Sequence, residues 1–346
     1  MQAMVYTQTG GPEVIQPMEV PTPTPGRGEV RVRVVASALN HLDLWARRGL
    51  PGIPPGFPHV GGCDIAGVVD VVGADVAGWQ AGERVVINPT FSCGVCEWCQ
   101  RGEDPLCDQF AIIGEHRWGG FAEFIVVPAR NLERVPDGFS LIEAAAVPLV
   151  YATAWRMLVT RARIRPGETV LVIGAGGGVN SAAIQIAALT GCRVWATTSS
   201  AEKADAARQL GAEFVVNYVE DEAWSRAIYR QSGKRGVDVV VDNVGAATWT
   251  SSLRSLAKGG RLVTVGATTG PIGETDIRLI FWRQLQVIGS TMSNRAEFAE
   301  VMRLVWQGKL RPVIDRVIPL AELRAGHEAL EAGNQFGKIV VRVGEE

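Results

Sequence analysis

Residues 168–191, ETVLVIGAGGGVNSAAIQIAALTG, constrain the fold more than any other stretch. A short apolar run leads into five small residues, GAGGG (174–178), and then into an amphipathic segment of helical length. Small residues at a strand-to-helix turn let backbone N–H groups approach a pyrophosphate at a helix N-terminus. A tight turn in any α/β protein would look similar, so the context has to decide. RVWATTS (193–199) reads as a second strand and SAEKADAARQLG (200–211) as a second helix. VDVVVDNVG (237–245) and GGRLVTVGATTG (259–270) are further apolar strands with helical segments between them. Apolar strands alternating with helices predict a parallel, doubly wound sheet, the setting in which such a turn binds a dinucleotide.

The chain before residue 150 has a different pattern. EVRVRVVASAL (29–39) alternates charged and apolar residues, as a half-buried strand does, and IAGVVDVVG (65–73) and GERVVINP (82–89) follow between Gly and Pro punctuation. PTPTPG (21–26) is a stiff extended connector. FGKIVVRVG (336–344) returns to strand character and is expected to rejoin the first part. The expected organisation is a β-rich domain over 1–150, a nucleotide-binding domain over 151–288, and a return over 289–346. At 346 residues the chain is long enough for two cores.

Composition excludes several function classes. A net charge of −2 supplies no strong field toward nucleic acid or anionic lipid. No apolar run reaches the 18 or so residues of a membrane span. The opening MQAMVYTQTGGPEVIQ lacks the pattern of a secretory signal, so the cytoplasm is the expected compartment. Cys63 and Cys192, outside any cluster, fit a reducing environment.

SCGVCEWCQRGEDPLC (92–107) places Cys93, Cys96, Cys99 and Cys107 at C-x2-C-x2-C-x7-C spacing. Four thiolates can close a tetrahedral zinc site with no open position. Free thiols or an iron–sulfur cluster are the alternatives. The cluster is disfavoured by the long last gap and by Asp108 where a Pro is common.

Other residues are dinucleotide candidates by position. Gly177, Gly178 and Val179 form the turn and the helix start. The second strand ends in ATTSS without a carboxylate in that run, and Lys203 follows. Ser199, Lys203 and Tyr218 are therefore candidates for a ribose 2′-phosphate, which favours NADPH over NADH. Asn243, Val244, Gly266, Ala267 and Thr268 end strands where an open parallel sheet binds ligand.

GGPEVIQPMEVPTPTPGRGEVRVRVVASALNHLDLWARRG, GCDIAGVVDVVG, GERV, GGFAEFIVVP, AAAVPLVYATAWRML and FGKIVV, in this order, resemble the medium-chain dehydrogenase/reductase superfamily across the whole chain, and its quinone oxidoreductase-like branch in particular. The resemblance implies a GroES-like catalytic domain, split in sequence around a Rossmann domain, with the active site in the cleft and hydride transfer by a nicotinamide cofactor. It implies a structural zinc in a lobe at 92–108. It adds Thr153, Ser290, Thr291 and Lys338 as cofactor contacts, and pairing of subunits as a homodimer or homotetramer.

The resemblance also marks what this chain lacks. The ligand positions of a catalytic zinc fall at Asn40, Cys63 and Leu149, and the hydroxyl relay position falls at Leu42. Asn40 is the residue of the zinc-free branch. Its amide is a candidate hydrogen-bond donor to a substrate carbonyl, or a cap for the following helix. His41 is expected at cofactor phosphate or in proton transfer, and Asp43 is the family's cleft carboxylate or a partner of His41 or Arg48. Cys63 and His116 complete the catalytic candidates, each with a plain structural reading beside it. His59 reads equally as a loop histidine or a catalyst, His327 as helix surface, and Trp118, Phe281 and Trp282 as pocket, core or interface aromatics. The last Gly of the family's GGVG is Asn180 here, which either shifts the helix or hydrogen-bonds the turn.

The expected function is NADPH-dependent reduction of a quinone, enone or small carbonyl compound without a catalytic metal. The rivals are a zinc alcohol dehydrogenase with unusual ligands, such as Cys63, Asp64 and a histidine, and a non-catalytic NADPH-binding redox sensor.

Overall fold

The computed structural model describes residues 1–50 and 56–346. They divide into two compact units, one of Met1–Leu149 with Ser293–Glu346, the other Val150–Met292.

The second unit carries the parallel sheet that the alternation predicts. Its six strands run in the spatial order Ala212–Asn217, Arg193–Thr198, Thr169–Val172, Val237–Val241, Leu256–Thr264 and Gln286–Gly289, each parallel to its neighbours. Numbered along the chain this is 3-2-1-4-5-6, the doubly wound order of dinucleotide-binding sheets. Chain order reverses between Thr169–Val172 and Val237–Val241, so the ligand crevice opens at their carboxyl ends. Val170, Leu171, Val172, Val239, Val240 and Val241 are fully buried, as strands covered by helices on both faces must be. The helix Gly178–Leu189 starts at the glycine turn. Gly174 sits at φ +77°, a backbone conformation that side-chain-bearing residues resist.

The first unit is built on a seven-stranded sheet. Its path runs Ile314–Pro319, Lys338–Arg342, Glu29–Ala38, Asp64–Val72, Arg84–Ile87 and Leu132–Arg134, with Phe124–Pro128 also paired to Glu29–Ala38. Val30, Val32 and Val34 are buried where the alternation expects them. Two registers matter for function. Ala38 opposes Asp64 on one side, and Val340 opposes Ala38 on the other. Two residues further along, this antiparallel pairing brings Lys338 beside Asn40, 298 residues away in sequence. Asn40 lies two residues past the end of the strand and caps the helix His41–Arg48.

Candidate active site

In the first unit, Asn40, Cys63, Asp64 and Lys338 form one buried polar cluster. Lys338 Nζ donates to Asn40 Oδ1 at 2.6 Å and to Asp64 Oδ2 at 2.8 Å. Asn40 Nδ2 donates to Asp64 Oδ2 at 2.9 Å and lies 3.2 Å from Cys63 Sγ. The other Asp64 oxygen accepts the Leu149 backbone N–H at 2.6 Å. A carboxylate and an ammonium this deeply covered persist only when paired and hydrogen-bonded, and both are. The lysine contact also fixes which end of the Asn40 amide is the acceptor.

This geometry bears on two expectations. Lys338, expected among the cofactor contacts, donates to Asn40 and Asp64. Asn40 spends its amide hydrogens on Asp64, Cys63 and its own strand, and its oxygen on Lys338, so it has no spare donor aimed at a substrate.

Asp43 lies alongside. Its Oδ2 accepts Asn40 N–H and its Oδ1 accepts Gly62 N–H, both at 2.8 Å. Burial nonetheless raises its carboxyl to about 7, against the pull of those two amides and of Lys338. Burial, together with Asp64 and Asp43, pushes the Cys63 thiol well up, so it is no thiolate near neutrality. His41 is held below its ordinary value by burial and by the Lys338 and Arg48 charges, which keeps its imidazole neutral. His116 accepts Ile112 N–H on Nδ1 at 3.2 Å, which ties the ring to its own turn. His59 bonds the Gly114 carbonyl at 2.9 Å.

His327 is not on the surface. It is fully buried, with Nδ1 accepting from Arg47 at 3.0 Å and Nε2 3.5 Å from the Tyr6 hydroxyl. Arg47 is itself buried and ion-paired to Glu331, so the helix Leu323–Ala332 turns His327 inward to meet it. Trp118 Nε1 donates to Pro58 O, and the ring is partly exposed. Phe281 and Trp282 are exposed on a helix that buries no residue, Ile277–Arg283.

The four clustered cysteines fit zinc. Their ligand atoms all lie within 4.8 Å of one another. Sulfurs about 2.3 Å from a tetrahedral zinc stand about 3.8 Å apart. The measured Cys93–Cys99 and Cys96–Cys99 separations are 3.9 and 3.6 Å. Backbone N–H groups of Val95 and Cys96 point at Cys93 Sγ and lower its thiol to about 6, the form a metal takes. No other group of three or more such residues is poised for a metal among the described residues. Asn40, Cys63 and Leu149 do not make a catalytic metal site: one offers a committed amide, one a protonated thiol, one an alkyl chain. Asp64, the nearest carboxylate, is neutralised by Lys338.

In the second unit the dinucleotide candidates gather at the carboxyl ends of the strands. Asn180 resolves its own question by bonding the turn. Its Nδ2 donates to Ile173 O and Gly174 O, both at 2.8 Å, and its Oδ1 accepts from Asn243 Nδ2 at 2.9 Å. Asn243 Oδ1 accepts Val265 N–H at 3.1 Å. One polar clasp thus ties the glycine turn to the ends of the next two strands. Gly178 and Val179 begin the helix beside it. Gly266, Ala267 and Ser290, with Trp249, Val265 and Pro271, line a cavity of about 470 Å³. Val244 and Thr268 close the adjoining turn: Val244 N–H donates to Asp242, and Thr268 N–H to Asn243 O.

Three buried hydroxyls of this unit, Thr153, Thr198 and Ser290, lack any hydrogen-bond partner. Orphaned buried hydroxyls are costly, and a bound polar ligand is what would satisfy them. Two of the three were expected from sequence. Thr198 was missed because its neighbours in ATTSS are equally hydroxylated. Thr197 Oγ1 accepts Gly174 N–H and Ser200 Oγ accepts Lys203 N–H, whereas the buried Thr198 hydroxyl has no such contact. Thr291 is exposed, Ser199 and Lys203 are half-buried, and Tyr218 is 40% exposed. A carboxylate does stand near this strand end: Glu202 accepts from the Ser200 side chain and is held below its ordinary value by it.

Two family models match this chain. Residues 26–137 match the alcohol dehydrogenase GroES-like domain, and residues 178–307 match the zinc-binding dehydrogenase domain. An NAD-dependent alcohol dehydrogenase from Sulfolobus acidocaldarius is 34% identical over 99% of this chain and 100% of its own length. The chain belongs to the medium-chain dehydrogenase/reductase superfamily. An acryloyl-coenzyme A reductase from Sulfurisphaera tokodaii is 33% identical over 94% of this chain and 95% of its own. The crystal structure of an NAD-dependent alcohol dehydrogenase superposes with a TM-score of 0.95 at 46% identity, covering 99% of this chain and 100% of that one. Like other members of the superfamily, the protein is an NAD(P)-dependent oxidoreductase with a GroES-like unit and a Rossmann unit.

Proposed function

We propose that this oxidoreductase reduces α,β-unsaturated carbonyl compounds, quinones or small carbonyls with NADPH, and that no metal takes part in the reaction. The observation that carries this reading is the Lys338 ammonium on both Asn40 and Asp64. At the positions where metal-dependent relatives hold their ion, this chain places a fixed internal cation and one protonated thiol. A divalent ion would have to displace that ammonium and find ligands that are not there. The nicotinamide cofactor supplies the hydride when bound. The Rossmann unit contributes the glycine turn, the helix start at Gly178 and the three orphaned hydroxyls. The GroES-like unit contributes a neutral His41 and two carboxyls, Asp43 and Glu115, that are raised to about 7.

Enoyl thioesters belong to the proposed substrate class, and the acryloyl-coenzyme A reductase relative supports including them. Ser199, Lys203 and Tyr218 support NADPH. Glu202 favours NADH as a second reading, because a carboxylate near the ribose repels a 2′-phosphate. Purified enzyme tested against enones, enoyl thioesters, quinones, aldehydes and alcohols, with each cofactor, decides both points. Turnover confined to alcohols and aldehydes and dependent on a second zinc would replace this reading.

We also propose a homodimer. Gln286–Gly289 is one of the two edges of the parallel sheet, and Val287 on it and Ile277, Phe281 and Trp282 on the helix just before it are exposed. An open edge flanked by exposed apolar side chains suits a second copy. A cytoplasmic location is supported by six cysteines that form no disulfide. No helix of the described residues is long and apolar enough to cross a membrane.

A further inference from the structure

Glu115 lies outside every feature the sequence singled out. It sits in the turn between Ile112 and Gly119, where Gly114 backs directly onto the peptide of Gly62 and Cys63. A Cβ at Gly114 would come within 2.8 Å of Gly62 N and 3.1 Å of Cys63 N. That close approach carries the Glu115 carboxyl into the surroundings of Cys63 and Asp43, both of which feel its charge or impose theirs on it. The side chain is 9% exposed, and its Oε1 is 4.0 Å from His116 Nδ1. Its Oε2 is buried without any hydrogen-bond partner. Asp43, by contrast, spends both oxygens on backbone amides.

We propose that Glu115 is the proton donor of the reduction, delivering its carboxyl hydrogen from Oε2 to the substrate as hydride arrives. This rests on the reductase reading given above. With an α,β-unsaturated carbonyl compound, hydride from the reduced nicotinamide forms a C–H bond at the β-carbon. The carbon–carbon π pair shifts to the α-carbon and takes the Glu115 proton there. The cofactor leaves oxidised, the substrate has gained two hydrogens, and the Glu115 carboxylate is reprotonated from water. A carbonyl or quinone would take the same proton on oxygen. Burial and the Asp43 charge raise the Glu115 carboxyl to about 7, so the acid form is present at neutral pH. The titratable groups around it are Asp43 on the helix that follows Asn40, Cys63 on the neighbouring strand end, His116 beside it in the turn, and His59, whose ring bonds the Gly114 carbonyl.

The test compares wild type with Glu115→Gln and Glu115→Asp, all zinc-loaded, with NADPH and the most reactive compound of the panel. NADPH binding and zinc content are measured alongside to establish folding. Wild-type kcat is expected to be level below about pH 7, to fall about tenfold per pH unit above it, and to show a solvent deuterium effect. Glu115→Gln is expected to bind NADPH as wild type does, to lose about 100-fold in kcat, and to lose the alkaline fall. Glu115→Asp should recover part of the rate. A Glu115→Gln rate within threefold of wild type, or an unchanged pH profile, overturns the inference while leaving the reductase reading intact. If the variant does not fold, a wild-type rate that is level from pH 6 to 9 overturns it equally. A wild type that reduces no member of the panel overturns both.

Discussion

Lys338 Nζ lies 2.8 Å from Asp64 Oδ2, and both side chains are buried. The pair is made by strand register, since Ala38 aligns Asp64 on one side and the returning strand on the other. Lys338→Met leaves a buried carboxylate with only the Asn40 amide and Leu149 N–H for company. Loss of one partner of a buried pair costs about 3–5 kcal/mol, and denaturant unfolding should show a loss of that size. Lys338→Met combined with Asp64→Asn should regain much of it, because no charge is then stranded. Equal stability of the single variant and wild type would show that the pair does not hold the site.

Asn180 should matter to both stability and cofactor. Asn180→Ala strips partners from Asn243 Nδ2 and from two turn carbonyls. Unsatisfied buried groups cost about 1–3 kcal/mol. Unfolding should register that loss, and calorimetric titration should show weaker NADPH binding. Unchanged binding would mean the clasp does not shape the turn.

Cofactor choice is expected to turn on two neighbours at the start of one helix. Lys203→Ala should raise KM for NADPH about tenfold or more, the worth of a charge-assisted hydrogen bond, with little change for NADH. Glu202→Gln should lower KM for NADPH by removing the opposing charge. If neither substitution changes the ratio of kcat/KM for the two cofactors, the phosphate is bound elsewhere.

Trp282 is 75% exposed beside the open sheet edge. Trp282→Asp should shift the light-scattering mass from twice the chain mass of 37.1 kDa toward the monomer. A wild type that is already monomeric at micromolar concentration would remove the dimer from the account.

The Rossmann unit was readable because its evidence is local. GAGGG, the apolar strands and the helical segments each announce themselves within about twenty residues. The cysteine lobe was readable for the same reason. The catalytic neighbourhood was not, because long-range register assembles it. Nothing near FGKIVV says that Lys338 returns beside Asn40. His327 looked like helix surface because its partner, the buried Arg47, is 280 residues away. Glu115 carries no signal of its own in the sequence, because it is the packing of Gly114 on Gly62 and Cys63 that brings its carboxyl in. Phe281 and Trp282 are exposed, which removes the core from the three readings their apolar character allowed.

Hydride transfer is proposed to proceed with zinc in the cysteine lobe and none beside Asn40. The direct measurement is zinc per chain by elemental analysis, taken on the same sample whose turnover is recorded. One zinc per chain is expected at full activity, falling to none when Cys93 and Cys99 are replaced by Ser. Two zinc ions per chain, with the rate dropping in step as the second is withdrawn, would contradict it.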